Sequence, residues 1–108
     1  MQIERVNEIL LEELAQAINK EVGLPGALMT VSFVDCDQDL KRARVGVSIL
    51  PDNLAGTALR SLKSATPQLT ALLKKRVKLR KLPHFIWEFD ATEREAEKIE
   101  RLIDDIKD

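Results

Sequence analysis

Two runs of alternating hydrophobicity, separated by a few polar residues, do most to limit what this chain can fold into. From Leu28 to Cys36, Met29, Val31 and Phe33 alternate with Thr30 and Ser32. After Asp35-Cys36-Asp37-Gln38-Asp39, the residues Ala43, Val45, Val47 and Ile49 alternate with Arg42, Arg44, Gly46 and Ser48. A period of two puts alternate side chains on one side of a pleated strand, so each run reads as a half-buried strand. The polar stretch between them reads as a turn, which makes the pair a hairpin. Its three aspartates lack the glycine and the distal glutamate of a calcium loop.

A strand pair with one apolar face needs a second layer to bury it. The flanking segments supply it, because their apolar period lengthens to that of a helix. Ile3, Val6, Leu10, Leu14, Ala17 and Ile18 form one stripe over residues 2–22, with Gly23 and Pro25 placed to end it. Pro51-Asp52-Asn53 closes the second strand and offers a cap, after which Leu54, Ala55, Ala58, Leu59, Leu62 and Ala65 mark a second helix. Thr66 followed by Pro67 reads as a fresh helix start, with threonine as cap and proline at the first helical position, where its missing N–H costs nothing. Within a continuous helix Pro67 would clash with the preceding turn, at roughly 3 kcal/mol or more. The expectation is therefore a structural kink at Ala65, Thr66 and Pro67, with a third helix running on through Leu69, Leu72, Leu73 and Val77.

Pro83 opens a last strand, in which Phe85, Trp87 and Phe89 face one way and Ile86 and Glu88 the other. Their spacing reads as core and not as a base-stacking platform. His84, the only histidine, reads as an exposed residue at the start of that strand. Thr92 and Glu95 form a capping box, and Ala96, Ile99, Leu102, Ile103 and Ile106 define a closing amphipathic helix. The chain of 108 residues is expected to be one domain, 1–108, of α+β class with a three-stranded sheet and its helices on one face. Met1 leads directly into an acidic amphipathic pattern, and no apolar run approaches a membrane span, so a cytoplasmic protein is expected. Cys36, the single cysteine, is expected as a reduced side chain near a strand end.

Charge is segregated along the chain. Residues 1–52 hold nine acidic and five basic residues, and residues 88–108 hold nine acidic and four basic. Residues 53–87 hold eight Lys or Arg and no acid. A basic segment without its usual acidic partners, between acidic flanks, suits a polyanion. The candidate RNA-binding residues are Arg60, Lys63, Thr66, Lys74, Lys75, Arg76, Lys78, Arg80 and Lys81. The lysines and arginines would neutralise phosphates, which position a protein without reading sequence. Thr66, as a cap, would leave amide donors at a helix start for an anion. Arg42 and Arg44 are expected to pair with the acidic helices. No carboxylate pair, activated nucleophile, metal cluster or phosphate loop stands out, so neither an enzyme nor a cofactor is expected.

The element order, with a basic helix pair meeting at a tight joint, resembles the KH class of RNA-binding domains in the arrangement with the extra helix first. Three stretches narrow the resemblance. Leu28-Met29-Thr30-Val31-Ser32-Phe33-Val34, then Asp39-Leu40-x-x-Ala43-x-Val45-x-Val47-Ser48, then Leu79-Arg80-x-x-Pro83-x-Phe85-x-Trp87-x-x-Asp90 look like ribosome-binding factor A. The resemblance covers nearly the whole chain. It implies a non-enzymatic assembly factor that binds the 30S subunit around its neck, contacts 16S ribosomal RNA and assists late maturation, including that of the RNA's 5′ end. It further implies release before translation, in part through assembly GTPases, and a special importance in the cold. The family's joint usually reads Ala-x-Gly, so Pro67 is a departure, as is Thr70 where an arginine is common. A monomer is expected. Two other readings stay open: a stand-alone KH-like module for single-stranded RNA, and a protein–protein adaptor using the acidic C-terminal helix.

Overall fold

In a computed structural model the described residues are 2–91, and the capping box and closing helix read between Thr92 and Ile106 lie outside them. Helix α1 spans Ile3–Glu21, strand β1 Leu28–Cys36 and strand β2 Arg42–Leu50. A short 3-10 turn at Asp52–Leu54 leads into helix α2, Ala55–Arg76, and strand β3 is His84–Phe89. The sheet order is β1-β2-β3, with β1 and β2 antiparallel and β2 and β3 parallel. A parallel pair needs a long crossover, and α2 provides it. This is the KH-like α+β arrangement that the sequence implied.

The core lies between the sheet and one helical layer. Ala43, Val45, Val47 and Ile49 of β2 are at most 2% exposed, and they meet Val6, Leu10 and Leu14 of α1 and Ala58, Leu62, Leu69 and Leu73 of α2. The alternate β2 residues Arg42, Arg44 and Ser48 face away, so both helices cover the same side. Truncating one of the fully buried leucines would cost about 2–5 kcal/mol, because the cavity left behind collapses only in part.

Three local expectations change. The strand pairing slips between Val31 and Phe33, so one extra residue bulges from β1. Val31, Val34 and Cys36 are buried, while Phe33, expected beside Val31, turns to the open face. Its ring there occupies the space that any side chain on Gly46 would need. Past α1, Val22 is the C-cap, with its N–H bonded to the Ile18 carbonyl at 2.9 Å, and Gly23 follows it at the next position as expected, but the left-handed turn conformation falls at Gly26 (φ 80°) and not at Gly23. Asn53 does not cap the second helix either, since the 3-10 turn feeds straight into it.

The largest correction concerns the joint. Ala65, Thr66 and Pro67 lie inside one helix, and no new helix begins at Thr66. Proline has no N–H for the Lys63 carbonyl one turn earlier. The side chain of Thr66 points back instead of capping forward, and its hydroxyl donates to the Leu62 carbonyl at 2.8 Å. Burial of Ala58, Leu62, Leu69 and Leu73 along one stripe holds the helix on the sheet to either side of the proline. That tertiary packing outweighs the local preference for a break.

Candidate nucleic-acid interface

Helix α2 presents a second stripe beside its buried one. Leu59, Arg60, Lys63, Thr66, Pro67, Thr70, Ala71 and Lys74 recur at helical spacing and form one wall of a groove of about 820 Å³. Residues His84–Trp87 of β3 form the other wall. The lining is apolar at Leu59, Pro67, Ala71, Phe85, Ile86 and Trp87 and cationic at Arg60, Lys63 and Lys74. Arg60 reaches Thr57 Oγ1 at 3.4 Å, and among the described residues Arg60, Lys63 and Lys74 form no ion pair.

Of the residues singled out from the sequence, the fold thus gathers Arg60, Lys63, Thr66 and Lys74 around one groove. Lys75 follows on the exposed side of the last turn. The helix ends at Arg76 and Val77 is extended, so Lys78, Arg80 and Lys81 belong to the exposed segment leading to β3 and not to a helix face. Lys74 and Lys78 are therefore not neighbours one helical turn apart. Arg76 is exposed but engaged with α1: its Nε lies 3.2 Å from Glu13 Oε2, and its Nη2 donates to Gln16 Oε1 at 3.4 Å. It ties the end of α2 to α1.

Sequence reasoning missed the far wall. Trp87 is only half-buried, touching the core with one side and the groove with the other. Its indole Nε1–H donates to Thr66 Oγ1 at 2.8 Å, joining β3 to α2 at the position next to the proline. The Trp87 ring also stands 6.2 Å from that of Phe85, tilted by 48°. His84 is the exposed first residue of β3, as expected, and it too lines the groove. The alternation of Phe85, Trp87 and Phe89 reported which side the rings take, but not how far the helix covers each one.

The open face of the sheet carries a different electrostatic pattern. Arg44 makes a two-pronged pair with Glu88, both bonds at 2.8 Å, lies 3.8 Å from Asp35, and stacks 5.7 Å above the centre of the Phe33 ring. Arg42 pairs with Asp37 at 3.5 Å. Both arginines thus meet acids of the sheet and its turn, not those of the helices. The Arg44 hydrogen bonds hold the Glu88 carboxyl below the usual carboxylate range and push the guanidinium up in turn. Burial, helped by the charges of Asp35 and Asp37, pushes the Cys36 thiol up. The Cys36 N–H donates to Asn7 Oδ1 at 2.9 Å, which seats α1 on the end of β1.

The fold and the groove can now be set beside known proteins. A family model described as ribosome-binding factor A matches residues 2–103. The chain belongs to the ribosome-binding factor A family. The ribosome-binding factor A of Natranaerobius thermophilus is 33% identical over 105 residues, which cover 95% of this chain and 80% of that one. The crystal structure of ribosome-binding factor A from Thermus thermophilus superposes with a TM-score of 0.74 at 28% identity, covering 82% of this chain and 94% of that one. A model of the Thermus thermophilus protein fitted into a cryo-EM map of its complex with 30S gives a TM-score of 0.68 at 29% identity, over 79% and 91% of the two chains. Among the described residues of this family member, no helix is long and apolar enough to cross a membrane.

Proposed function

We propose that this protein is a non-enzymatic small-subunit assembly factor that binds 30S through 16S ribosomal RNA and assists late maturation, including processing of the RNA's 5′ end. The observation that carries the reading is the trio of basic residues lining the α2–β3 groove, Arg60, Lys63 and Lys74, on a chain segment, residues 53–87, that holds eight basic residues and no acid. Membership of the ribosome-binding factor A family and the 30S complex of the Thermus relative support the choice of partner.

The mechanism is electrostatic and shape-based. Arg60, Lys63, Lys74 and Lys75 would meet phosphates along one side of α2, and Lys78, Arg80 and Lys81 would extend the contact beyond its end. Arg76 contributes less, because Glu13 already neutralises it. Phosphate contacts of this kind set position and orientation, and the shape of the folded subunit supplies specificity. The protein acts as a monomer in the cytoplasm, with assembly GTPases as candidate partners in its release and with most effect in the cold.

The test is co-sedimentation with purified small and large subunits across a salt series. Wild type is compared with a folded Lys63→Glu, Lys74→Glu, Lys75→Glu variant. Binding to the small subunit alone is expected, falling as salt rises. Losing three phosphate contacts should flatten the logarithmic salt dependence by about 2–3. Equal binding by variant and wild type would move the contact off this face. No binding to either subunit would leave the adaptor reading in its place.

A further inference from the structure

We infer that the outer edge of β3 is a docking site for an extended acidic peptide, which adds to the sheet as a fourth strand inside the α2–β3 groove. The β3 wall of that groove is made by four consecutive residues, His84–Trp87, whose side chains alternate between the two faces of the sheet. What four consecutive strand residues share is one backbone edge, so the groove runs along it.

Among the described residues that edge is unpaired. The sheet order is β1-β2-β3, which gives β3 a neighbouring strand on one side only. The N–H of His84 donates to the Lys41 carbonyl and that of Asp90 to the Val47 carbonyl, both at 2.9 Å and both toward β2. Backbone groups alternate sides along a strand. Ile86 and Glu88 therefore face β2 as well, and the N–H and C=O of Phe85 and Trp87 point outward to the groove. An open edge is a template for another chain, and proteins commonly blunt it with charge, proline or a bulge. The two edges of this sheet differ on that point. Strand β1 carries the bulge between Val31 and Phe33, whereas β3 keeps an unbroken register from His84 to Phe89 and shows Phe85-Ile86-Trp87 with no charge among them.

Charge and backbone chemistry select the occupant. Across from the edge, α2 offers apolar Leu59, Pro67 and Ala71 and the cations Arg60, Lys63 and Lys74, which form no ion pair among the described residues. An extended peptide would lie about 4.8 Å beyond β3, exchange hydrogen bonds with Phe85 and Trp87, and set alternate side chains against α2. Its apolar side chains would meet the apolar lining and its carboxylates the three cations. A sugar–phosphate backbone matches the cations but carries no N–H groups for the Phe85 and Trp87 carbonyls. Strand addition occupies Arg60, Lys63 and Lys74, so peptide and RNA exclude each other in the groove. That exclusion rests on the function proposed above, whereas the strand addition does not.

The probe is a synthetic eight-residue peptide alternating valine and glutamate, added to the whole protein while the fluorescence of Trp87, the only tryptophan, is followed. A second peptide of the same sequence has every amide N-methylated, which keeps the carboxylates and removes the N–H donors. The first peptide is expected to change Trp87 emission saturably, and the second to bind at least about tenfold more weakly for the hydrogen bonds it cannot make. A Lys63→Glu, Lys74→Glu variant, shown by circular dichroism to be folded, should bind the first peptide about tenfold more weakly at low salt, where exposed charges are least screened. The first peptide should also displace a 16S-derived oligonucleotide. No emission change, or equal affinity for the two peptides, overturns the strand addition; if the oligonucleotide alone then perturbs Trp87, the groove belongs to nucleic acid. Unchanged affinity in the double variant overturns the acidic character of the partner. Peptide binding that leaves the oligonucleotide in place upholds the strand addition and moves RNA to another surface.

Discussion

The indole N–H of Trp87 donates to the hydroxyl of Thr66 at 2.8 Å, and that hydroxyl donates in turn to the Leu62 carbonyl at the same distance. One oxygen thus pins the edge strand to the helix beside a proline. Thr66→Val keeps the shape and removes both bonds, leaving the indole N–H without its acceptor. A loss of about 1 kcal/mol is expected in urea denaturation, at the low end of the range for an unmet donor because the site is only half-buried. Thr66→Ser should recover most of it. Equal stability of Val and Ser variants would mean that the relay holds nothing.

Gly46 lies under the Phe33 ring on the open face, so Gly46→Ala must push the ring aside. An overlap of this kind typically costs about 1–3 kcal/mol. The displaced ring would also leave the Arg44 guanidinium that stacks on it. Combining Gly46→Ala with Phe33→Ala should therefore cost less than the two single changes added together, which a double-mutant cycle measures. Strict additivity would contradict the contact.

These two sites mark where the sequence was and was not informative. Strand limits, the hairpin, the direction of Phe85 and the stripe of α1 were all legible, since each follows from a repeat of two or 3.6 residues. The position of Phe33 was not. A single bulged residue reverses the alternation, and nothing in Thr30-Val31-Ser32-Phe33 marks where the extra residue falls. Thr66 and Pro67 misled for a related reason. Their local preference is to start a helix, but the leucines on both sides belong to one buried stripe, and packing decided. For the candidate site, the basic residues were legible as charge. Their division among groove, connecting segment and the Arg76–Glu13 tie depends on where α2 ends.

Glu88 should shape the acid limb of stability. Its folded carboxyl titrates below the ordinary value of 4.5, because it accepts hydrogen bonds from Arg44. As pH falls past the unfolded value, the unfolded chain takes up a proton that folded Glu88 refuses, so unfolding is favoured. The contribution is present above the unfolded value and is lost as pH falls through the folded one. The stability gap between wild type and Glu88→Gln should therefore be widest near neutral pH and close progressively below pH 4.5. Because the pair is exposed, 1 M salt should narrow the gap as well. A gap that does not change with pH would mean that Arg44 stabilises Glu88 no better than water does.

Pro67 offers the sharpest test of how α2 is held together. It sits in the helix interior, where a proline costs about 3 kcal/mol relative to alanine through its missing N–H and its contact with the preceding turn. Against this, proline stiffens the unfolded chain, which is worth about 0.4–1 kcal/mol in the other direction. The helix term is the larger, so Pro67→Ala should stabilise the protein by about 2 kcal/mol in urea denaturation. The alanine supplies an N–H to the Lys63 carbonyl and leaves the spacing of Arg60, Lys63 and Lys74 along the groove unaltered. Binding to the small subunit should then change little. A destabilised Pro67→Ala variant would mean that the backbone around residue 67 has adapted to the ring and that its packing against the groove outweighs the missing bond. A stabilised variant that loses subunit binding would make the proline itself part of the RNA-facing wall.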